Sequence, residues 1–284
     1  MKSIFLILVS LFFTLGLQSN EIGNASGRDI PANNFNTSYV ICSWNLKDFG
    51  FTKSDHILDF IAKTISGCDI VAIQEVVAGE GGVETVGRLY RKLNSKSDQW
   101  RYIVSAPTSG NSYKRERYSF FWKKDRVQLS DKPWLEKKYS LEIDREPYLA
   151  TFLINGKAYT LVNYHAITQR MQPEKEIKYF KYFPNEYPGK KLLFMGDFNC
   201  PQTHTVFNPL KTMGYKAALT DEKTTLKINC HNKDCLASAF DQFFYKPDEF
   251  KVDSSWVFHF YRSFNSLEEA RLVSDHLPIF IRIN

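Results

Sequence analysis

Short apolar runs rich in β-branched and aromatic residues recur along the chain. They are YVICSW (39–44), DIVAIQE (69–75), RYIVSA (101–106), YSFFWK (118–123), YLATFLI (148–154), AYTLVNYH (158–165), KLLFMGDFN (191–199), AFDQFFY (239–245), SWVFHF (255–260) and PIFIRI (278–283). Runs of this kind predict strands, several of them buried on both faces. Three stretches instead space their apolar residues as a helix does: SDHILDFIAKTIS (54–66), VGRLYRKLNS (86–95) and EKEIKYFKYF (174–183). Ser54 or Asp55 can cap the first of them. Helices alternate with strands in places, and strands follow strands elsewhere. That mixture predicts an α/β or α+β sandwich, with sheets in the middle and helices outside. No Pro/Gly/Ser-rich linker divides residues 39–284, so one domain is expected there.

The first residues follow a different pattern. MKSIFLILVSLFFTLGLQSN has one lysine, then an apolar run from Ile4 to Leu17, then small and polar residues. This predicts a signal peptide over 1–19 and a secreted or periplasmic product. The run is short for a membrane span. Residues 20–38 are polar and predict a flexible leader. The 284-residue chain is 43% hydrophobic and carries a net charge of +6, a mild bias toward polyanionic partners. Five cysteines would meet an oxidising compartment after export. Cys230 and Cys235, in the polar stretch NCHNKDC, can pair with each other, or Cys200 can pair with one of them. Cys42 and Cys68 lie in apolar contexts and read as buried thiols.

The ends of the predicted strands carry the chemistry. YVICSWN ends at Asn45, DIVAIQE at Glu75, TLVNYH at His165, and LLFMGDFN at Asp197 and Asn199; LASAFDQ carries Asp241, and LVSDH carries Asp275 and His276. Each alone reads as a solvated strand end or a turn. Together they read as one rim, because the strands of a sheet layer deliver their ends to one side and clefts form there. Glu75, Asn45, Asp197, Asn199 and Asp275 are hard oxygen donors suited to Mg²⁺, with Mn²⁺ or Ca²⁺ as alternatives. His165 and His276 are a general base and a general acid in waiting, with Asp241 and Glu116 as orienting partners. There is no G-x-S-x-G elbow, P-loop or G-x-G-x-x-G, which removes those chemistries.

The ordered set WN, QE, NYH, GDFN, D and SDH resembles the endonuclease/exonuclease/phosphatase superfamily over about residues 39–284. The resemblance implies a four-layer sandwich of two packed, mainly antiparallel β-sheets flanked by helices. It also implies divalent-metal-dependent cleavage of phosphate esters. APTSGNSYKRERYSFFW (106–122) and DREPYLATF (144–152) are similar to the secreted deoxyribonuclease I branch. That branch implies Glu75 as the main metal ligand with Asn45 nearby, and Asp275 among the ligands. It pairs His165 with Glu116 and His276 with Asp241, and places Asp197 and Asn199 on metal and phosphate. Arg145 would bind phosphate, Tyr113 would pack on a deoxyribose in the minor groove, and Lys47 would contact the backbone. Cys200 would join Cys230 or Cys235.

The implied activity is nicking of DNA to 5′-phosphate and 3′-hydroxyl ends, by a monomer with DNA as its partner and no stable protein partner. Two features depart from the branch: one extra residue stands between Tyr113 and Glu116, and Val77 stands where the branch has a minor-groove arginine. The alternatives are a sphingomyelinase or inositol-phosphate phosphatase on this scaffold, with SSWVFHFYRSF (254–264) as an aromatic membrane hairpin, and a catalytically silent binding protein.

Overall fold

The computed structural model describes residues 38–97, 99–110, 115–232 and 234–284. The expected signal peptide, nearly all of the leader, and Tyr113 lie outside the described residues. In chain order the strands begin with β1 (Tyr39–Phe49), β2 (Ile70–Val77), β3 (Trp100–Val104), β4 (Glu116–Lys123), β5 (Val127–Leu129), β6 (Trp134–Leu135), β7 (Tyr148–Ile154) and β8 (Lys157–His165). They continue with β9 (Leu192–Asp197), β10 (Lys216–Ala217), β11 (Leu226–His231), β12 (Asp234–Leu236), β13 (Asp241–Tyr245), β14 (Val252–Val257) and β15 (Ile279–Ile283). The α-helices are α1 (Asp55–Ile65), α2 (Glu80–Leu93), α3 (Glu174–Ile177), α4 (Phe183–Glu186), α5 (Asn208–Thr212) and α6 (Leu267–Val273).

Two mixed sheets carry the architecture. One has the order β14-β15-β1-β2-β4-β3, and the other runs β10-β13-β9-β8-β7-β5 with β6 also on β7. Pairing is antiparallel except for one parallel pair in each sheet, β1 with β2 and β8 with β9. The sandwich expected from the strand pattern is therefore present. The central strands are apolar on both faces because one face meets the other sheet and the second meets helices. Ile41, Ile70, Ile73, Phe120, Leu161, Met195 and Phe243 share one core cluster. A second cluster, including Tyr164, Phe180, Phe183, Phe194 and Phe198, lies under the 174–186 segment.

Helix α1 begins where its pattern predicted. Ser54 is the N-cap and accepts from Ile57 N at 3.3 Å, and Leu58, Ile61 and Ile65 are buried. Each such side chain contributes roughly 1.5–3 kcal/mol by burial. Helix α2 starts earlier than its apolar pattern suggested. Gly81 and Gly82 look like breakers but are buried in its first turn. A Cβ on Gly82 would come within 1.9 Å of Val77 O, so only glycine lets α2 sit this close to the end of β2.

The 174–183 stretch does not form one helix. It breaks into α3, a 3₁₀ turn over Lys178–Tyr182, and α4. Its buried residues Ile177, Phe180 and Phe183 recur every third position, which is the 3₁₀ period. NCHNKDC is a hairpin of β11 and β12 closed by a Cys230–Cys235 disulfide, and Cys200 is a buried free thiol. The pairing of Cys200 that the resemblance implied is thus corrected: Cys200 packs in the second core beside Phe198 and Phe207, and burial pushes its thiol up to about 12. The 254–264 stretch is no projecting hairpin. It is the edge strand β14 followed by a 3₁₀ turn, with Trp256 stacked on Phe280 at 5.1 Å and Phe260 buried. Among the described residues, no helix is long and apolar enough to cross a membrane.

Candidate active site

Strand register brings the polar strand ends together. Asp197 on β9 lies opposite Asp241 on β13 and beside His165 on β8, three neighbouring strands of one sheet. The facing sheet supplies Asn45 from β1, Glu75 from β2 and Glu116 from the start of β4. Asp275 and His276 enter from the segment between α6 and β15. A cavity of about 420 Å³ is lined by Lys47, Glu75, Arg115, Glu116, Arg145, His165, Asp197, Asn199, Asp275 and His276, among others.

Gly196 makes the GDFN turn possible. Its φ is +136°, and a Cβ there would lie 1.9 Å from Tyr164 O, so β9 can pass β8 only without a side chain. Glu75 and Asn199 also hold left-handed backbones, with φ of 59° and 48°. Non-glycine residues keep such conformations only where their surroundings over-determine them, and such positions cluster at functional sites.

Two histidine–carboxylate pairs flank Asp197. His165 Nδ1 is 2.8 Å from Glu116 Oε2, and His276 Nδ1 is 2.9 Å from Asp241 Oδ2. With each Nδ1–H donating to its carboxylate, the Nε2 atoms face Asp197 Oδ2 at 3.3 and 3.5 Å. The surroundings of the two rings differ sharply. Burial, then the nearby Arg145 guanidinium, push His165 down to about 4, so its ring is neutral despite the short contact with Glu116. Burial also opposes charge on His276, but Asp241, Asp197 and Asp275 overcome it and raise that ring to about 10. Burial raises Glu116 to about 7, partly offset by Arg145, whose Nη1 is 3.2 Å away.

The remaining groups frame these pairs. Asn199 donates its backbone N–H to Asp197 Oδ1 at 2.8 Å and its amide to Asp197 Oδ2 at 3.2 Å and Ala166 O at 3.0 Å. Arg145 also donates to Ala166 O, while its buried Nε has no partner among the described residues. Glu75 accepts from Asn45 Nδ2 and from Asp48 N, both at 2.9 Å. Asp275 faces Lys47 at 3.3 Å and Arg271 at 3.1 Å.

The donor set tests whether a metal fits. The carboxylates of Glu75 and Asp275 line the cavity, with side chains 24% and 26% exposed. Hard carboxylate oxygens at a wet rim suit an oxygen-loving divalent cation that keeps waters. Asn45 stands between the carboxylates of Glu75 and Asp197. It turns its amide nitrogen to Glu75 and to Asp197, 3.2 Å away, and accepts with Oδ1 from Lys47 N. As arranged it steadies two carboxylates, and Oδ1 keeps a lone pair beyond the one that accepts from Lys47 N. The ligand atoms of Asp197, Asp241 and His276 also lie within 4.8 Å of one another. Their contacts already form the His276 pair, so that cluster is accounted for without an ion.

Several supporting residues carry no signal in the strand-end pattern. Thr224 Oγ1 donates to Asp241 Oδ2 at 2.6 Å, and Ser274 Oγ donates to Asn45 O at 2.6 Å while accepting from His276 N at 3.0 Å. Tyr118 OH accepts from His165 N and donates to Arg145 O, each at 3.2 Å. Gln74 donates to Asn163 Oδ1 at 2.6 Å, tying the two sheets beneath the site. Buried Lys53 donates to Leu272 O at 3.0 Å and Val273 O at 2.8 Å. Ser274, Gln74, Asn163 and Tyr118 stood inside the quoted stretches SDH, QE, NYH and YSFFWK, while Thr224 and Lys53 stood in none.

The fold and this rim of acids, amides and paired histidines define a family of phosphoester-processing sandwiches. The sequence pattern of the endonuclease/exonuclease/phosphatase family matches residues 42–276, and the chain belongs to that family. It is 25% identical over 268 residues to deoxyribonuclease-1 of Oryctolagus cuniculus, covering 87% of this chain and 92% of that protein. It is 24% identical over 267 residues to Homo sapiens deoxyribonuclease-1-like 1, covering 87% and 84%. Among solved structures, a Bacteroides thetaiotaomicron mannosyl-6-phosphatase superposes with a TM-score of 0.65 at 17% identity, covering 87% of this chain and 99% of that one. D. rerio TDP2 complexed with single strand DNA product gives 0.64 at 15%, with the same coverage. These two structural likenesses concern the fold.

Proposed function

We propose that the chain is a divalent-metal-dependent phosphodiesterase that nicks DNA, leaving 5′-phosphate and 3′-hydroxyl ends. The observation that carries this reading is the pair of oppositely poised histidines on either side of Asp197, beside a half-buried arginine. The deoxyribonuclease relatives support DNA as the substrate class. In this reading residues 39–284 are the catalytic domain behind a signal peptide (1–19) and leader (20–38). The protein acts as a monomer outside the cytosol, where a Cys230–Cys235 disulfide persists.

Neutral His165 is the base. Its Nδ1–H is held by Glu116, so the Nε2 lone pair is free to take a proton from water. The water oxygen forms a bond to phosphorus in line with the bond to O3′, which breaks. His276, kept protonated by its carboxylate neighbours, gives its Nε2 proton to the departing O3′. Arg145 and Asn199 meet the charge that grows on the phosphate oxygens. Glu75 and Asp275 would hold the cation, whose contribution is neutralisation of phosphate charge. Lys47 would contact the backbone, and Tyr113 retains its expected minor-groove role.

Nicking of supercoiled plasmid tests this. With Mg²⁺ the protein is expected to nick; with EDTA it is not, and His165→Ala and His276→Ala each lose about 10²–10⁴-fold. Intact plasmid with Mg²⁺, Mn²⁺ and Ca²⁺ would overturn the reading.

A further inference from the structure

The catalytic cavity does not end at its polar wall. A groove of about 630 Å³ adjoins it and shares Lys47, Asp48 and Val77 with it. Beside the charged residues Lys47, Asp48, Lys53 and Arg271, this second groove presents the apolar side chains of Phe51, Val77 and Leu272. Phe51 is 64% exposed, Leu272 60% and Val77 38%. Large exposed apolar groups gathered in a groove mark a binding surface more often than solitary ones do.

Phe51 is held rather than loose. It sits on a turn closed by Lys53 N donating to Gly50 O at 3.0 Å. Before the turn, Asp48 N donates to Glu75; after it, the Lys53 ammonium is pinned to the end of α6. The ring lies against the first turn of α2: a Cβ on Gly81 would come within 2.8 Å of Phe51 Cδ2. A Cβ on Gly50 would likewise come within 2.8 Å of Val77 Cγ2. Two glycines therefore leave room for an aromatic and an aliphatic side chain to form a shelf beside the phosphate cavity. A ring already fixed in place loses little freedom on stacking.

We infer that Phe51, backed by Val77, is a stacking platform for a nucleobase next to the scissile phosphate. The site then takes nucleic acid whose flanking base is free to leave its neighbours: a single strand, or a duplex opened at the cut. This rests on the nuclease reading and names its substrate more narrowly. The Phe51 and Val77 side chains themselves offer nothing to phosphates, which Lys47 on the shared edge would meet, whereas every base has a face that stacks on an aromatic ring. The lining shared with the phosphate cavity, Lys47, Asp48 and Val77, puts that base beside the cleaved bond.

The test compares kcat/KM on a labelled single-stranded oligonucleotide with that on bis(4-nitrophenyl) phosphate, a diester with no base. Phe51→Ala is expected to lower the oligonucleotide-to-diester ratio about tenfold, and Phe51→Trp to preserve it. An abasic residue at the flanking position should cost wild type a similar factor and Phe51→Ala nothing further. Equal ratios for wild type and Phe51→Ala, or a full abasic penalty in Phe51→Ala, overturn the inference. So does Phe51-dependent sedimentation with phosphatidylcholine–phosphatidylserine vesicles at unchanged oligonucleotide rates, which would make the shelf a lipid contact. If neither diester is cleaved, the nuclease reading fails by itself. Anisotropy of the oligonucleotide on His165→Ala, with and without Phe51→Ala, then still decides the shelf: weaker binding in the double variant supports it, and equal binding sinks it.

Discussion

His165 and His276 have the same side chain and nearly the same hydrogen bond, yet their surroundings shift their proton affinities in opposite directions. His165 has a half-buried arginine near it, while three carboxylates surround His276. Asp241→Asn keeps a polar partner for His276 but removes the nearest of those charges. It is expected to lower kcat/KM by about 10²–10⁴-fold. The alkaline limb of the pH–rate profile should also move to lower pH; an unmoved limb would show that Asp241 does not set the proton on His276. His165, His276, Asp197 and Glu75 were all legible as polar endings on apolar strands. Thr224 and Lys53 were not, because a threonine or a lysine in a polar stretch looks the same whether it faces water or a buried partner; the apolar run around Tyr118 foretold its burial but not its hydrogen bonds.

Lys53 shows how one element positions another. It leaves the loop after β1, is only 4% exposed, and burial lowers its ammonium to about 8. Its hydrogen bonds satisfy carbonyls at the end of α6, just before Ser274, Asp275 and His276. Lys53→Met keeps the stem and deletes the donor. Leaving those carbonyls unpaired is expected to cost about 1–3 kcal/mol in urea unfolding and to lower kcat as the Asp275–His276 segment loosens. Unchanged stability and rate would make this contact ornamental. The strands and α1 were readable from periodicity, since burial on one or both faces writes itself into the apolar pattern. The start of α2 was hidden because Gly81 and Gly82 serve contacts with Phe51 and Val77, which no local propensity encodes. The 174–183 stretch resembles one helix in sequence because every-third spacing fits a helix loosely and a 3₁₀ turn better.

Across the molecule the two histidines make stability depend on pH in opposite directions. The His276 ring is raised, so between about 6.5 and its folded value near 10 the native state binds the extra proton and stability falls as pH rises. His165 is depressed, so between about 4 and 6.5 the unfolded state binds the extra proton and stability falls as pH falls. Glu116, raised to about 7, opposes the His165 slope on the acid side, and Lys53, lowered to about 8, opposes the His276 slope above that pH. The His276 slope therefore stands clear between about pH 7 and 8, where urea midpoints should fall as pH rises. In His276→Gln the alkaline side should flatten; a slope identical to wild type would remove His276 as its cause.

The chain alone determined the ten long apolar strands, that polar groups close several of them, and the chemical class of those groups; the short strands β5, β6 and β10–β12 it did not. These are local matters, set by side-chain polarity along an extended backbone. The tertiary structure decided which strand ends meet, since register places Asp241, Asp197 and His165 side by side across two pairings separated by long stretches of chain. It also decided which histidine holds a proton, because that depends on the balance of burial against charges contributed by five different strands and loops. And it decided that Cys200 stays unpaired while Phe51 stands exposed, outcomes of packing distance that no order of residues displays.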